Sequence, residues 1–254
     1  MTREATLTLR APLRQRVDAS TVAWATLSGL MATEIGAQTV WVEGEGSARL
    51  GDLFDIRGAP APRIRLVGDL ARLDGIGTGL AAGEIVVEGD AGWHLGRRMS
   101  GGLIEVQGNV GPHAGAAEPG AKRGITGGEI IVRGSAGRQL GAGLRRGLIV
   151  VEGDADAGAG RAMLAGSIVV FGQVGPDPGL WSKRGSIVAF GALTPPAPYR
   201  YACTYRPPHL SVTLTYLKAR RGVPITPEQL TGLYRRYSGD LAELGAGEIL
   251  AWIP

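Results

Sequence analysis

The sequence predicts an all-β fold, a single-stranded parallel β-helix wound from glycine-rich coils of about 19 residues. Three observations predict it. A block reading Gly, any residue, Ile, any residue, Val or Ala, any residue, Gly starts at Gly83, Gly102, Gly128, Gly147, Gly166 and Gly185. These starts lie 19, 26, 19, 19 and 19 residues apart, so one step carries a seven-residue insertion. No segment between blocks has the length or period of a packed helix, which argues against a βαβ layout. A fixed period of this kind means one supersecondary unit stacked on copies of itself.

Each element follows from a column of the repeat. Ile85, Ile104, Ile130, Ile149, Ile168 and Ile187 form one column, and Val87, Val106, Val132, Val151, Val170 and Ala189 form another two residues on. Spacing of two places both on one face of a strand, and β-branched side chains fit a pleated, buried surface. Each strand ends in a turn glycine: Gly89, Gly108, Gly134, Gly153, Gly172 or Gly191. The second half of each unit carries Gly92, Gly111, Gly137 and Gly175, with Asp156 in the fourth place, then Gly96, Gly115, Gly141, Gly160 and Gly179. Leu80, Met99, Ile125, Leu144, Met163 and Ser182 make a second inward ladder. At about 4.8 Å per rung the coils form a rod roughly 30 Å long. Looser coils are expected at Ile64 and at Leu53–Gly58. An antiparallel sandwich would not require the same residue at the same place in every unit.

The boundaries are a 1–62 cap segment, 63–194 for the β-helix repeats and a 195–254 extension. The first segment is expected to hold strands at Thr6–Leu9 and Thr39–Val42 and to cover the open end of the stack, whose main-chain groups would otherwise be exposed. In the extension, His209–Leu217 alternates like a strand. Thr226-Pro227-Glu228-Gln229 reads as a helix start, with Thr at the N-cap, Pro at the first helical position and Gln completing a capping box. Leu230, Leu233 and Tyr234 continue that helix to Ser238-Gly239. Val86, Ile131, Val150, Val169 and Val188 point outward from the strands and need cover, from this helix or from another subunit.

Composition bounds the function. Glycine takes 42 of 254 positions, yet 44% of residues are hydrophobic, so the glycine is structural punctuation and not disorder. Cys203 is the single cysteine, which excludes a disulfide framework within the chain. With no signal-peptide pattern and no apolar run near 18 residues, a soluble cytoplasmic protein is expected. No nucleic-acid or membrane partner is expected. The net charge of +4 is modest, but its distribution is not. Arg97, Arg123 and Arg161 share a column counted from the next block, and Arg98, Lys122, Arg145, Arg146, Lys183 and Arg184 lie on the same segment of their coils. Stacked like charges repel, so this stripe either meets an acidic partner or solubilises one face.

Catalytic machinery is hard to find. His94 and His113 share a column and are expected to stack, but two turn residues without a carboxylate make a poor metal site, and His209 has no partner at ligand spacing. No metal ligands and no catalytic residues are assigned. Cys203 stands in no nucleophile motif, and a lone cysteine is more often a small buried residue. Asp90, Asn109, Ser135 and Asp154 form a polar ladder after the strands. It could serve glycosidic or lyase chemistry, although residues of this kind more often cap their own turns. The Gly-x-Gly strings lack the ending and the strand-loop-helix setting of a nucleotide loop. The short repeat of hexapeptide acyltransferases does not divide 19.

Residues 127–141, Gly-Gly-Glu-Ile-Ile-Val-Arg-Gly-Ser-Ala-Gly-Arg-Gln-Leu-Gly, resemble the repeat shared by the C subunit of formylmethanofuran dehydrogenase and the carboxyl-terminal domain of the glutamate synthase large subunit. Leu50-Gly51-Asp52-Leu53-Phe54-Asp55 resembles the stretch preceding the repeats in the dehydrogenase C subunit, and 254 residues leave no room for amidotransferase and synthase domains. Tyr201–Pro208, Tyr237–Gly245 and the insertion at Ala116–Lys122 look like the bacterial relative, the C subunit of the formyltransferase/hydrolase complex of methylotrophs.

That resemblance implies a right-handed β-helix and a subunit without its own active site. Its partners would be amidohydrolase-like, molybdopterin-enzyme-like and formyltransferase subunits. Together they would pass a formyl group from formyl-tetrahydromethanopterin to a methanofuran-type carrier and hydrolyse it to formate. No cofactor of the complex maps onto residues of this chain. The basic stripe is a candidate site for the carrier's acidic polyglutamate tail. The alternatives are the C subunit of a molybdenum or tungsten formylmethanofuran dehydrogenase, a stand-alone glutamate-synthase-like domain, and a β-helix enzyme acting on an acidic polymer.

Overall fold

The computed structural model describes residues 4–254 except positions 23, 26, 59 and 60, so part of the expected 1–62 segment lies outside the described residues. The chain is mostly β, with a mixed sheet of 12 strands and a second sheet of 4. At the amino end, β1 (Glu4–Leu9), β2 (Val17–Asp18), β3 (Thr39–Val42), β4 (Gly46–Arg49) and β5 (Phe54–Gly58) accompany short helices α1 (Ala32–Gly36) and α2 (Leu50–Leu53). β1 and β3 are the two strands expected there. β1 lies parallel to β6 (Arg63–Val67), with Ala5 against Ile64 and Leu7 against Leu66. The main-chain groups on that edge of β6 are therefore paired. β5 runs antiparallel to β1, so Leu53–Gly58 is a return strand and not an early coil. Four positions separate Gly58 from Arg63, whereas a parallel crossover needs about a dozen. β7 (Leu73–Asp74) joins β2 in the second sheet.

The repeats form β8 (Glu84–Glu88), β9 (Leu103–Val106), β10 (Glu129–Val132), β11 (Leu148–Val151), β12 (Ser167–Val170) and β13 (Arg184–Ala189), parallel and in sequence order after β6. Ile64, Ile85, Ile104, Ile130, Ile149, Ile168 and Ile187 stand directly opposite one another, and none is more than 2% exposed. The coil expected at Ile64 is thus part of the stack. A second ladder of parallel bridges links Leu70, Ala91, Val110, Ala136, Ala155 and Val174. Each repeat therefore touches its neighbour at two places. The invariant glycine column has a packing reason. Gly141 adopts φ +61°, and a Cβ there would sit 2.8 Å from Ile168 Cδ1; Gly96, Gly115 and Gly160 meet isoleucine Cδ1 atoms at the same 2.8 Å. Glycine turns and strand isoleucines interlock across coils.

The extension differs from expectation in four ways. β14 (Arg200–Tyr205) is followed by α3 (Pro208–Arg221), where the alternation over His209–Leu217 predicts a strand. Pro208 at the first turn, Gly222 in the left-handed conformation after the last, and three basic residues near its end specify a helix. Leu210, Leu214 and Leu217, at helical spacing, are its buried residues. They pack on Ile131, Val150, Val169 and Val188, so the outward column is covered, but by α3. Val86, also buried, lies outside that cluster. The expected helix is α4 (Pro227–Thr231), with Thr226 Oγ1 accepting from Gln229 N–H and Gln229 Oε1 from Thr226 N–H. It stops at Thr231, and Leu233 and Tyr234 belong instead to β15 (Leu233–Gly239). Finally, β16 (Ala246–Ile253) lies parallel to β13, with Ile249 opposite Ile187. It adds a further rung from distant sequence.

Candidate ligand groove on the turn face

The seven-residue insertion builds a wall. Ala117 N–H donates to the Ala142 carbonyl and Gly124 N–H to that of Gly143, so both ends are tied to the next coil. Glu118, between them, lies 3.3 Å from Arg97 Nε and 3.5 Å from Arg98 Nε. A groove of about 700 Å³ runs beside this wall, and Gln139, Gly143, Arg161, Trp181, Lys183 and Glu243 are among the residues that line it. Lys183 Nζ is 3.9 Å from Glu243. The Arg161 guanidinium lies 3.9 Å from the Trp181 ring centre, a cation–π contact that holds it without a carboxylate partner among the described residues.

The predicted stripe is therefore only partly assembled. Lys122, Arg161 and Lys183 line the groove, with Arg97 and Arg98 held on Glu118. Arg123, Arg145, Arg146 and Arg184 are exposed outside the lining, with no ion pair among the described residues. Arg123 does not share the turn of Arg97 and Arg161. The N–H bonds that Arg97 and Arg161 donate within their turns, to His94 and Gly158, are matched in the second coil by Ala116 to His113. The insertion displaces Arg123 past that position.

At one end of the groove His94 and His113 stack, with ring centres 5.0 Å apart and planes 11° from parallel. Both adopt left-handed backbone angles, φ 59° and 66°, as does Gln139 in the next coil. Burial lowers the pKa of both imidazoles, aided at His94 by the charges of His113 and Arg97. His94 Nδ1 is buried without a hydrogen-bond partner. His209 lies elsewhere, on α3, 3.7 Å from Glu248. Among the described residues no group of three or more His, Cys, Asp or Glu side chains is placed to hold a metal.

Two smaller expectations change. Asp90, Asn109, Ser135 and Asp154 do not cap their own turns. Each accepts the N–H of the equivalent residue one coil on, at 2.6, 2.8, 3.0 and 2.7 Å, because parallel stacking brings that N–H closer than any in the same turn. Cys203 is exposed and not buried, because β14 is the last strand of its sheet. Sequence reasoning missed Glu118, Gln139, Trp181 and Glu243. The signal for Gln139 was its place in the His94 and His113 column; Glu243 lies in the extension and carried none.

No protein-family profile matches the chain. The C subunit of the formyltransferase/hydrolase complex of Methylorubrum extorquens is 39% identical over 90 residues, 35% of this chain and 34% of that protein. The C subunit of the molybdenum-containing formylmethanofuran dehydrogenase 1 of Methanosarcina barkeri is 33% identical over 85 residues, 32% of this chain and 28% of that protein. The matched stretches thus span about a third of the length of these curated relatives. The likeness in three dimensions extends much further. A chain in the crystal structure of the formyltransferase/hydrolase complex (FhcABCD) from Methylorubrum extorquens, solved with methylofuran, superposes with a TM-score of 0.78 at 35% identity, covering 98% of this chain and 100% of that one. The chain belongs to the C-subunit family of formyltransferase/hydrolase complexes. Both the groove and the displaced stripe are therefore features of a member of that family. Among the described residues no helix is long and apolar enough to cross a membrane.

Proposed function

We propose that this chain is a structural subunit, with no reaction centre of its own, of a formyltransferase/hydrolase complex. It docks amidohydrolase-like, molybdopterin-enzyme-like and formyltransferase subunits, which convert formyl-tetrahydromethanopterin to formate through a furan-type carrier. The observation that carries this reading is the 35% identity over 98% of the chain to the whole length of a chain from such a complex. In the same reading residues 63–194 wind as a right-handed parallel β-helix, closed by residues 1–62 and extended by 195–254. The two parallel ladders per repeat support that winding. Co-expression with the partner subunits tests it: a stable complex is expected, and a chain that elutes alone overturns the reading.

The groove receives the acidic tail of the carrier. Lys122, Arg161 and Lys183 supply the charge, and Arg97, Arg98, Arg123, Arg145, Arg146 and Arg184 extend a positive field around it that draws in a polyanion. Replacing Arg161→Glu with Lys183→Glu is expected to weaken carrier use about tenfold or more while assembly stays intact. Unchanged carrier kinetics would leave these residues merely solvent-facing or a contact with another subunit. The 33% identity to a molybdenum dehydrogenase subunit supports a second reading, a place in that enzyme. Molybdenum or tungsten in the purified complex would decide for it.

A further inference from the structure

Strand β14 is unusual for a strand in a large sheet. It ends the 12-stranded sheet and among the described residues pairs only with β15, with a register shift between Tyr201 and Cys203. Five of its six residues are exposed, on both faces, and Tyr205 is half-buried. The other end of the sheet is treated differently: β5 buries Phe54 and packs against α1 and α2. Edge strands in chains that act alone are usually short, bulged away, interrupted by Pro, or covered, because a free row of N–H and C=O groups templates another strand. β14 has no proline or lysine within it, Pro207 follows only after it ends, and the irregularity at Tyr201–Cys203 leaves Cys203 to Tyr205 in regular register with β15.

The charges around this edge are one-sided. Residues 200–206 and 233–239 hold Arg200, Arg206, Arg235 and Arg236 and no carboxylate. Arg236 is neutralised by Glu248 of β16 at 2.9 Å, and Arg200 is turned onto the Ala197 and Tyr199 carbonyls. Arg206 and Arg235 make no ion pair among the described residues. Next to them Tyr201 is 59% and Leu233 47% exposed. Apolar surface, free main-chain groups and unpaired guanidiniums thus coincide along a strand about 20 Å long.

We propose that β14 is a docking edge on which an extended, acidic segment of a partner subunit adds as a further strand. Main-chain hydrogen bonds supply affinity in such strand addition, and side chains supply choice of partner. Carboxylates of the segment pair with Arg206 and Arg235, and Tyr201 and Leu233 are covered. A second copy of this chain is a poor occupant, because β14 against β14 would bring together two edges that each carry arginines and no carboxylate. This inference rests on the scaffold reading above and adds where a partner sits.

Hydrogen exchange on the isolated full-length chain and on the complex reconstituted with its partner subunits tests it. The outward amides of β14 are expected to slow about tenfold or more in the complex. The double variant Arg206→Glu with Arg235→Glu is expected to weaken assembly by about tenfold or more, with unchanged circular dichroism and melting temperature. If that variant does not fold, Arg206→Gln with Arg235→Gln serves, and salt should then no longer affect assembly through this edge. A complex that forms with β14 exchanging as in the free chain overturns the inference and leaves the scaffold reading standing. Protection that appears in the isolated chain as its concentration rises overturns it in favour of self-association. A chain that recruits no subunit at all sinks the scaffold reading as well.

Discussion

The outer face of the strand stack carries Arg65, Val86 and Glu105 in β6, β8 and β9, and at the same register Ile131, Val150, Val169 and Val188 in β10 to β13. The first half is laced with charge: Arg65 pairs with Glu4 at 3.0 Å and also with Glu88, and Arg63 with Glu84 at 3.5 Å. The second half is dry and sealed under α3. At the border, Arg133 pairs with Glu105 at 2.7 Å and with Glu152, and its guanidinium donates to the Arg221 carbonyl at the end of α3. Behind both halves runs the same isoleucine column. The inner face therefore sets the coil, while the outer face is free to vary with what covers it.

Two substitutions separate these roles. Ile149→Ala removes a fully buried side chain from the shared inner column and is expected to cost about 2–5 kcal/mol, read as a lower urea midpoint for the whole chain. Leu214→Ala, equally buried but in α3, is expected to cost slightly less, about 2–4 kcal/mol. Its exchange signature should differ: amides of α3 open, while those of β6, β8 and β9 keep their protection. If Leu214→Ala loosened the charged half to the same degree, the two halves would not be independent.

The inner face was legible because stacking forces repetition. An isoleucine at one place in each unit is visible as a period, and so are the glycines that receive its Cδ1. The outer face carries no such demand. Its two halves differ only in residue type, and the helix that covers one of them looked like a strand. Over residues 209–217 alternation and helical spacing coexist. The αL Gly222 and the leucines at 210, 214 and 217 decide for a helix, leaving Val212 72% exposed. The rung from β16 left a fainter mark: Gly247, Ile249 and Ala251 repeat the block's first three fixed positions. Its closing glycine is missing, replaced by Ile253 at the end of β16, so the full block stops recurring at Gly191. The groove was half legible. Its basic residues lie in the repeats, but one wall comes from an insertion, and no periodicity reveals which way an insertion folds.

The border residue gives a smaller effect. Arg133→Met keeps the apolar stem but leaves Glu105 and Glu152 without their shared guanidinium and the Arg221 carbonyl without its donor. A loss of about 1–3 kcal/mol is expected. Since Glu105 and Glu152 would then repel, added salt should recover part of the loss in the variant. A variant as stable as the parent would mean that the charged half contributes no more than surface ion pairs do.

The smallest effect lies on the turns, apart from both halves, and gives the background against which they are compared. His94 and His113 have native pKa values below the ordinary histidine value, chiefly through burial. The folded chain therefore holds them neutral while the unfolded chain takes up protons first as pH falls. Stability linked to this pair is fully present above the unfolded value near 6.5 and is lost as pH drops below it toward the lowered folded values. Melting curves between pH 7.5 and pH 5 (about the range in which imidazole titrates) should show this decline. Gln139 fills the same turn with the same left-handed backbone, so His94→Gln with His113→Gln is expected to fold and to flatten the slope over that range. The slope that survives in the double variant belongs to other groups. An unchanged slope would show that the stacked imidazoles titrate alike in both states and that burial at the groove's end does not penalise their charge.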